Sequence, residues 1–328
     1  MLTPPFMRLA DEAAAHLHPP APAVAQSDFA RDMRTALSVR PHGISPKYFY
    51  DAAGSQLFDR ICDLPEYYPT RTELSILQRC LPAMAQLAGP GAEIVEFGAG
   101  SLHKVRLLLA AFTRPARYVP IDISGEHLAG AAADLRDAFP RLEVQPVIAD
   151  YTQPLTLPRA AGPRIGFFPG STLGNFAPDE ALAFLERAAG LLHGGALLLG
   201  ADLVKDPHLL HAAYNDAQAV TARFNLNLLV RANRELGTDF AVDQFAHYAF
   251  YNAPLQRIEM HLVSRERQVV QLGGERFTLE EGESVHTENS YKFTVDGLRA
   301  LATRAGFRPG AVWTDPQRLF SVHWLHAP

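Results

Sequence analysis

Apolar positions along the chain change period repeatedly, and each change marks an element. Ile94, Val95 and Phe97, interrupted only by Glu96, make a short run that stops at Gly98, the pattern of a buried strand closing on a tight turn. Beyond Ser101 the spacing turns helical at Val105, Leu108, Leu109 and Phe112, with Lys104 and Arg106 on other faces. The alternation recurs, predicting a second strand at Arg117–Asp122, a third at Glu143–Ile148, a fourth from Arg164 and a fifth at Ala196–Ala201 that ends at Asp202. One intervening helix begins at Pro178, Asp179 and Glu180, residues suited to a first turn. The fold class expected is α/β, a doubly wound parallel sheet that takes its ligands beyond the carboxyl ends of its strands.

Outside the sheet the pattern differs. Asp28 to Ser38 predicts a short helix, Pro41 to Pro46 a loop, Gly54-Ser55 a break in an aromatic-rich stretch, and Glu73 onward a helix after Thr72. Asp206 to Leu236 reads as helical throughout. From Phe240 to Phe277 a period of two predicts antiparallel strands at Ala246–Tyr251, Arg257–Val263 and Gln268–Leu272, which build a cap apart from the sheet. A helix at Gly297–Phe307 and closing strands at Ala311–Asp315 and Arg318–Trp324 complete the chain. The organisation expected is a flexible leader at 1–30, a substrate-binding unit from 31–70 plus 206–290, and a sheet unit from 71–205 plus 291–328.

Composition narrows the ligand. A chain of 328 residues, 48% hydrophobic and 20% charged, can build one large or two modest cores. Its net charge of −5 offers no basic field to nucleic acid or anionic lipid, which leaves a small molecule. The absence of an apolar run of about 18 residues argues against a membrane span. The opening also lacks the basic start and apolar core of a secretory signal. Cys62 and Cys80 stand in no metal or redox spacing and read as reduced, so a cytoplasmic setting is expected. His16 with His18, and His208 with His211, lack a third ligand in sequence, and no metal is expected.

The chemistry concentrates around Glu96-Phe-Gly-Ala-Gly-Ser. Its two glycines let a ligand approach the backbone beside a helix N-terminus, but His103 stands where a dinucleotide-binding loop has its third glycine. Asp122 ends the next strand 24 positions after Gly98, about where an acid accepts ribose hydroxyls, and Asp150-Tyr151 ends the third. Such strand ends look more like an S-adenosylmethionine (SAM) methyltransferase than an NAD dehydrogenase. Tyr48, Tyr50, Tyr67 and Tyr68, each a default packing residue alone, together suggest the wall of a pocket for a small polar ligand.

Five segments taken in order resemble the histidine Nα-methyltransferases of ergothioneine biosynthesis. They are Lys47-Tyr-Phe-Tyr-Asp-Ala-Ala-Gly-Ser-Gln-Leu-Phe, Leu64-Pro-Glu-Tyr-Tyr-Pro-Thr-Arg-Thr-Glu, Glu96-Phe-Gly-Ala-Gly-Ser, Pro169-Gly-Ser-Thr-Leu-Gly-Asn-Phe and Glu288-Asn-Ser-Tyr-Lys-Phe. The resemblance implies a class I SAM methyltransferase that trimethylates the α-amino group of L-histidine to hercynine; no metal, no nucleic acid or membrane partner, and a monomer are expected. It places Gly98, Gly100 and Lys104 at the methionine part of SAM, Asp122 at the ribose, and Asp150 with Tyr151 at the adenine. The family usually has phenylalanine where Tyr151 stands. On the substrate side it implies Asn175 and Tyr214 at the carboxylate, Tyr50 and Tyr67 at the amine and ring, Glu288 and Ser290 at the imidazole, and Met260 beside it. Tyr50 and Tyr67 are the catalytic candidates, orienting the amine. The rivals are a same-fold enzyme acting on another amino acid or small amine, and a non-catalytic SAM or amino-acid sensor.

Overall fold

The computed structural model of the protein describes residues 27–100 and 102–328; the leader up to residue 26, with His16 and His18, and Ser101 lie outside the described residues. Eight strands form the main sheet. In chain order they are β2 (Glu93–Phe97), β3 (Arg117–Asp122), β4 (Glu143–Val144), β5 (Val147–Ile148), β6 (Arg164–Phe168), β7 (Ala196–Asp202), β13 (Arg308–Thr314) and β14 (Phe320–His326). Their spatial order is β13-β14-β7-β6-β2-β3-β4, with β5 also on β3. Strands β2 to β7 run parallel, and only β14 is reversed, pairing antiparallel with β7 on one side and β13 on the other. This is the doubly wound sheet the alternation predicts.

Both faces are covered, which is why the strands are apolar at successive positions. Ile94, Tyr118 and Leu198 point into one core with helices α3 (Tyr68–Ala88), α4 (Leu102–Ala111) and α5 (Gly125–Ala138). Their neighbours Val95, Val119 and Leu197 point the other way, onto α6 (Pro178–Leu191) and α9 (Val295–Arg304). The expected third strand is interrupted between β4 and β5, where Pro146 has no N–H for the ladder and β3 picks up its partner again at Ile121.

A third core gathers the rest of the chain. Strands β1 (His42–Gly43), β12 (Ser284–Tyr291), β9 (Arg257–Ser264) and β8 (Phe245–Asn252) form a four-stranded sheet in that order, and β10 (Gln268–Leu272) pairs β11 (Glu275–Leu279) as a hairpin. Helices α1 (Asp28–Ser38), α2 (Ala52–Cys62), α7 (Pro207–Tyr214) and α8 (Val220–Leu236) pack on it through Met33, Ile61, Leu210, Phe224 and Leu228. The uninterrupted helix expected from Asp206 to Leu236 is in fact two. The Asp216 carboxylate accepts the backbone N–H groups of Val220 and Thr221, both at 2.8 Å, and caps the start of α8 after Ala219 enters the left-handed region. Helix α3 starts at Tyr68, ahead of the expected Glu73, with Pro69 in its first turn.

Gly54 corrects a second expectation. It sits inside α2 rather than at a break, its N–H capped by the Asp51 carboxylate at 2.7 Å. A Cβ there would lie 1.8 Å from the Phe49 carbonyl oxygen, so this glycine serves close packing and not a turn. Gly54→Ala should therefore cost about 1–3 kcal/mol in denaturant unfolding despite alanine's better helix propensity. A change within about 0.5 kcal/mol would contradict the packing account.

Candidate functional site

The site lies where the carboxyl ends of the main-sheet strands meet the four-stranded sheet. Strand β2 ends at Gly98, whose φ of +75° and close neighbour both exclude a side chain: a Cβ would approach Tyr151 Cε1 to 3.3 Å. The N–H groups of Gly98 and Ala99 both reach the Ile121 carbonyl, which ties the loop to the end of β3. Asp122 follows directly, one carboxylate oxygen held by the Ser124 N–H at 2.9 Å. Asp150 is fixed in the same way by the Thr152 N–H and hydroxyl. Gly98, Asp122, Asp150 and Tyr151 thus stand together at the carboxyl ends of the strands, the glycine rim, with Tyr151 against Gly98.

Two acids that sequence reasoning did not single out support this rim. Buried Glu73 on α3 accepts Lys104 Nζ at 2.6 Å and the Gly170 N–H at 2.9 and 3.1 Å, so Lys104 is committed to a carboxylate and stands beside Gly170. Glu96, just before the glycine loop, accepts the Tyr118 hydroxyl, and burial pushes its carboxyl up to about 8.

On the opposing side, four of the predicted polar groups have no side-chain hydrogen-bond partner among the described residues: the hydroxyls of Tyr50 and Tyr67, the Asn175 amide and the Glu288 carboxyl. They are nevertheless neighbours. The Tyr67 ring lies 6.3 Å from that of Tyr214, Phe58 stands between Tyr50 and Tyr67 at 5.6 and 6.4 Å, and the Glu288 charge is felt at Tyr50, Tyr67 and Tyr214. Tyr50 keeps 40% of its surface accessible while crowded by protein, a combination that describes the wall of a recess. Burial holds both phenols well above their usual range, so they stay protonated and serve as hydrogen-bonding groups. Desolvation likewise raises Glu288 to about 7, opposed by Lys292. The Tyr151 ring lies 6.5 Å from that of Phe176, the neighbour of Asn175, which joins this side to the glycine rim.

Strand register explains the convergence. Glu288 pairs with Met260 of β9 immediately after a β-bulge, Ser290 follows two residues on along the same face, and Met260 is buried beneath. The turn Thr172–Asn175 is pressed against this strand, because a Cβ on Gly174 would meet the Tyr291 carbonyl oxygen at 2.7 Å. Of the four phenols expected as a wall, Tyr48 and Tyr68 are instead buried and donate to Asp32 and Asp202. Tyr50 and Tyr67 alone of the four face the recess.

Beneath the recess lies a charged cluster that the sequence did not reveal. Asp202, at the end of β7, meets Lys205 Nζ at 2.5 Å and Lys292 Nζ at 3.0 Å and accepts the Tyr68 hydroxyl at 2.8 Å. Burial opposes the Asp202 charge, but the two lysines outweigh it and hold the carboxyl below its usual range. Lys292 also donates to Ser290 Oγ at 2.7 Å and to the Tyr214 hydroxyl at 3.3 Å, and Tyr214 reaches Ser290 at 2.8 Å. Ser290 and Tyr214 therefore carry partners already, unlike the four groups above.

His211, of the His208–His211 pair, accepts the Tyr251 N–H on Nε2 at 3.2 Å. Elsewhere Glu259, His261 and His286 bring ligand atoms within 4.8 Å of one another. There the two imidazoles stack face to face at 4.7 Å and Glu259 is engaged by Arg257 at 2.7 Å, an arrangement of packing and ion pairing.

Residues 29–327 match the family described as histidine-specific methyltransferase, SAM-dependent. Among curated proteins the chain is 41% identical over 298 residues to a histidine N-alpha-methyltransferase of Mycolicibacterium smegmatis, covering 89% of this chain and 92% of that one. It is 40% identical to the protein of the same name from Mycobacterium tuberculosis, covering 87% and 90% respectively. A Neurospora crassa ergothioneine biosynthesis protein 1 is 28% identical, over 84% of this chain and 32% of its own length. Sheet order, glycine rim and whole-length match agree, and the chain belongs to the SAM-dependent, histidine-specific methyltransferase family.

Proposed function

We propose that the protein methylates the α-amino group of L-histidine with SAM, three times in succession, to give the betaine hercynine, the first step of ergothioneine biosynthesis. The observation that carries this reading is the Glu288 carboxyl, unpaired among the described residues and desolvated, in register with Met260 and two residues from the Ser290 hydroxyl. An imidazole has one N–H to donate and one bare nitrogen to accept, which matches an acceptor and a hydroxyl side by side. An aliphatic amino acid would leave both groups unpaired, at about 1–3 kcal/mol for each.

The remaining assignments follow from position. Gly98 and Gly100 admit the methionine part of SAM, Lys104 standing by at Gly170; Asp122 accepts the ribose hydroxyls; Asp150 takes the adenine amino group while Tyr151 packs on its ring. Bound there, SAM supplies a methyl group activated by its sulfonium, open to in-line displacement by an amine. Asn175 and Tyr214 hold the substrate carboxylate. Tyr50 and Tyr67, fixed as protonated phenols, accept the hydrogens of the unmethylated and monomethylated amine directly or through water, and their rings bound the space in which the dimethylated amine, which has none, turns its lone pair to the rim. The recess also keeps water from competing. No residue needs to be a strong base, since an amine free of its proton is drawn from solution.

Mass spectrometry of reactions with histidine and SAM should show mono-, di- and trimethylhistidine accumulating in turn; product from another amino acid with none from histidine would overturn the assignment. The Tyr50→Phe/Tyr67→Phe double variant should lose at least about 100-fold in kcat, and near-normal turnover would remove the tyrosines from the mechanism. Glu288→Gln should raise KM for histidine about 10-fold or more. The same variant should stabilise the empty protein. Because the folded carboxyl titrates near 7 against an ordinary value near 4.5, its cost grows as pH rises between those values, by up to about 3 kcal/mol. The melting temperature of Glu288→Gln should therefore overtake the wild type progressively from pH 5 to pH 8, and a constant difference would contradict the burial of this carboxyl.

A further inference from the structure

Lys292 is a buried cation that binds the main sheet through Asp202 and, on its other side, the Ser290 and Tyr214 hydroxyls. Its side chain is 1% exposed; one contact is Asp202 at 3.0 Å, and the others are Ser290 Oγ at 2.7 Å and the Tyr214 hydroxyl at 3.3 Å. Its ammonium also lies 5.0 Å above the Tyr214 ring. An ammonium only donates, so both hydroxyls must accept from it. The hydrogen bond between Tyr214 and Ser290 at 2.8 Å uses one of their two protons. Whichever hydroxyl donates in that bond, one proton remains for the pair, and the hydroxyl carrying it already accepts two hydrogen bonds. The pair can therefore face the recess as a donor.

Charge points the same way. Asp202, with the Tyr214 hydroxyl, holds Lys292 protonated against its burial, so the pair accepts from a lasting cation. Glu288, two residues before Ser290 on the same face of β12, is an acceptor without a partner among the described residues. The recess thus has a donor pole and an acceptor pole, and the polarity of the first is set by a lysine that cannot itself reach the open space.

We propose that Lys292 is a specificity-determining positioning residue, which makes the Ser290–Tyr214 pair a donor pole for an acceptor group of the amino-acid substrate, either its carboxylate or the bare nitrogen of its ring. The inference rests on the reading of this recess as the histidine site. A cationic or donor group at that pole meets a like charge and a proton facing a proton, so a lysine or arginine side chain is rejected there. Were Lys292 only a tie between two sheets, its loss would slow every substrate alike.

The test compares Lys292→Met with the wild type on three substrates: histidine, histidinamide, which lacks the carboxylate, and β-(2-pyrrolyl)alanine, which keeps a ring N–H but lacks the bare nitrogen. The wild type should prefer histidine to both. In Lys292→Met, with S-adenosylhomocysteine affinity by calorimetry within about twofold of the wild type, kcat/KM for histidine should fall about 10- to 100-fold, mostly through KM. The analogue whose missing group meets the donor pole should lose less than about threefold, so that its disadvantage collapses and shows which acceptor sits there. Proportional losses on all three substrates would overturn the inference. If Lys292→Met does not bind S-adenosylhomocysteine, the Ser290→Ala/Tyr214→Phe double variant, which removes both hydroxyls of the pair, should show the same collapse, and proportional losses there would overturn it equally. A wild type that methylates no histidine takes down the functional reading and this inference together, whereas discrimination that survives in the variants takes down this inference alone.

Discussion

A buried carboxylate shared by two lysines holds the two halves of the site in register. Asp202 ends the strand β7, Lys292 follows β12, and the ion pair between them at 3.0 Å, with the Tyr68 hydroxyl from α3 as a further donor, fastens the four-stranded sheet to the main sheet. Backbone contacts reinforce the joint: Phe293 N–H donates to the Asp202 carbonyl at 2.9 Å, and Val204 N–H to that of Phe293. Charges removed from water are costly unless fully paired, and here the carboxylate has three side-chain donors. Methyl transfer tolerates little error in the line between amine and sulfur, so a joint of this kind sets the alignment that the chemistry needs.

The distribution of satisfied and unsatisfied groups separates scaffold from site. Tyr48, Tyr68, Glu73, Glu96 and Asp202 all find partners within the protein. Tyr50, Tyr67, Asn175 and Glu288 do not among the described residues, although folded proteins pair the large majority of their enclosed polar groups. Stability is given up at Glu288 in particular, whose carboxyl titrates near 7 through desolvation. Such groups are held ready for hydrogen bonds that arrive with a ligand, and selectivity follows from what a wrong ligand would leave unmade.

The parallel sheet was legible because burial on both faces writes a run of apolar residues that ends in Gly, Asp or Asp-Tyr at the functional rim. Breaks were less so. Pro146 split a strand, the Asp216 carboxylate capped a helix that periodicity alone would have continued, and Gly54 was kept for want of space rather than for a turn. The residues around the recess were reached through the resemblance of five motifs, since nothing in the local sequence of Glu288 or Asn175 distinguishes it from a surface acid or a turn amide. Lys292, Asp202 and Glu73 escaped, and Tyr68 was expected on the pocket wall, for a different reason. Their meaning lies in pairings across 90 or more positions, such as Lys292 with Asp202 or Glu73 with Gly170, and spacing along a chain says nothing about which lysine will face which acid.

The central claim is that one recess holds the amino acid by its ring, with the amine turned to the glycine rim. A crystal structure of the ternary complex with S-adenosylhomocysteine and histidine measures this directly. The account predicts one imidazole nitrogen within hydrogen-bond distance of Glu288, the other facing Ser290, and the α-nitrogen in line with the donor sulfur. An imidazole lodged away from β12, with Glu288 still unpaired, would contradict it.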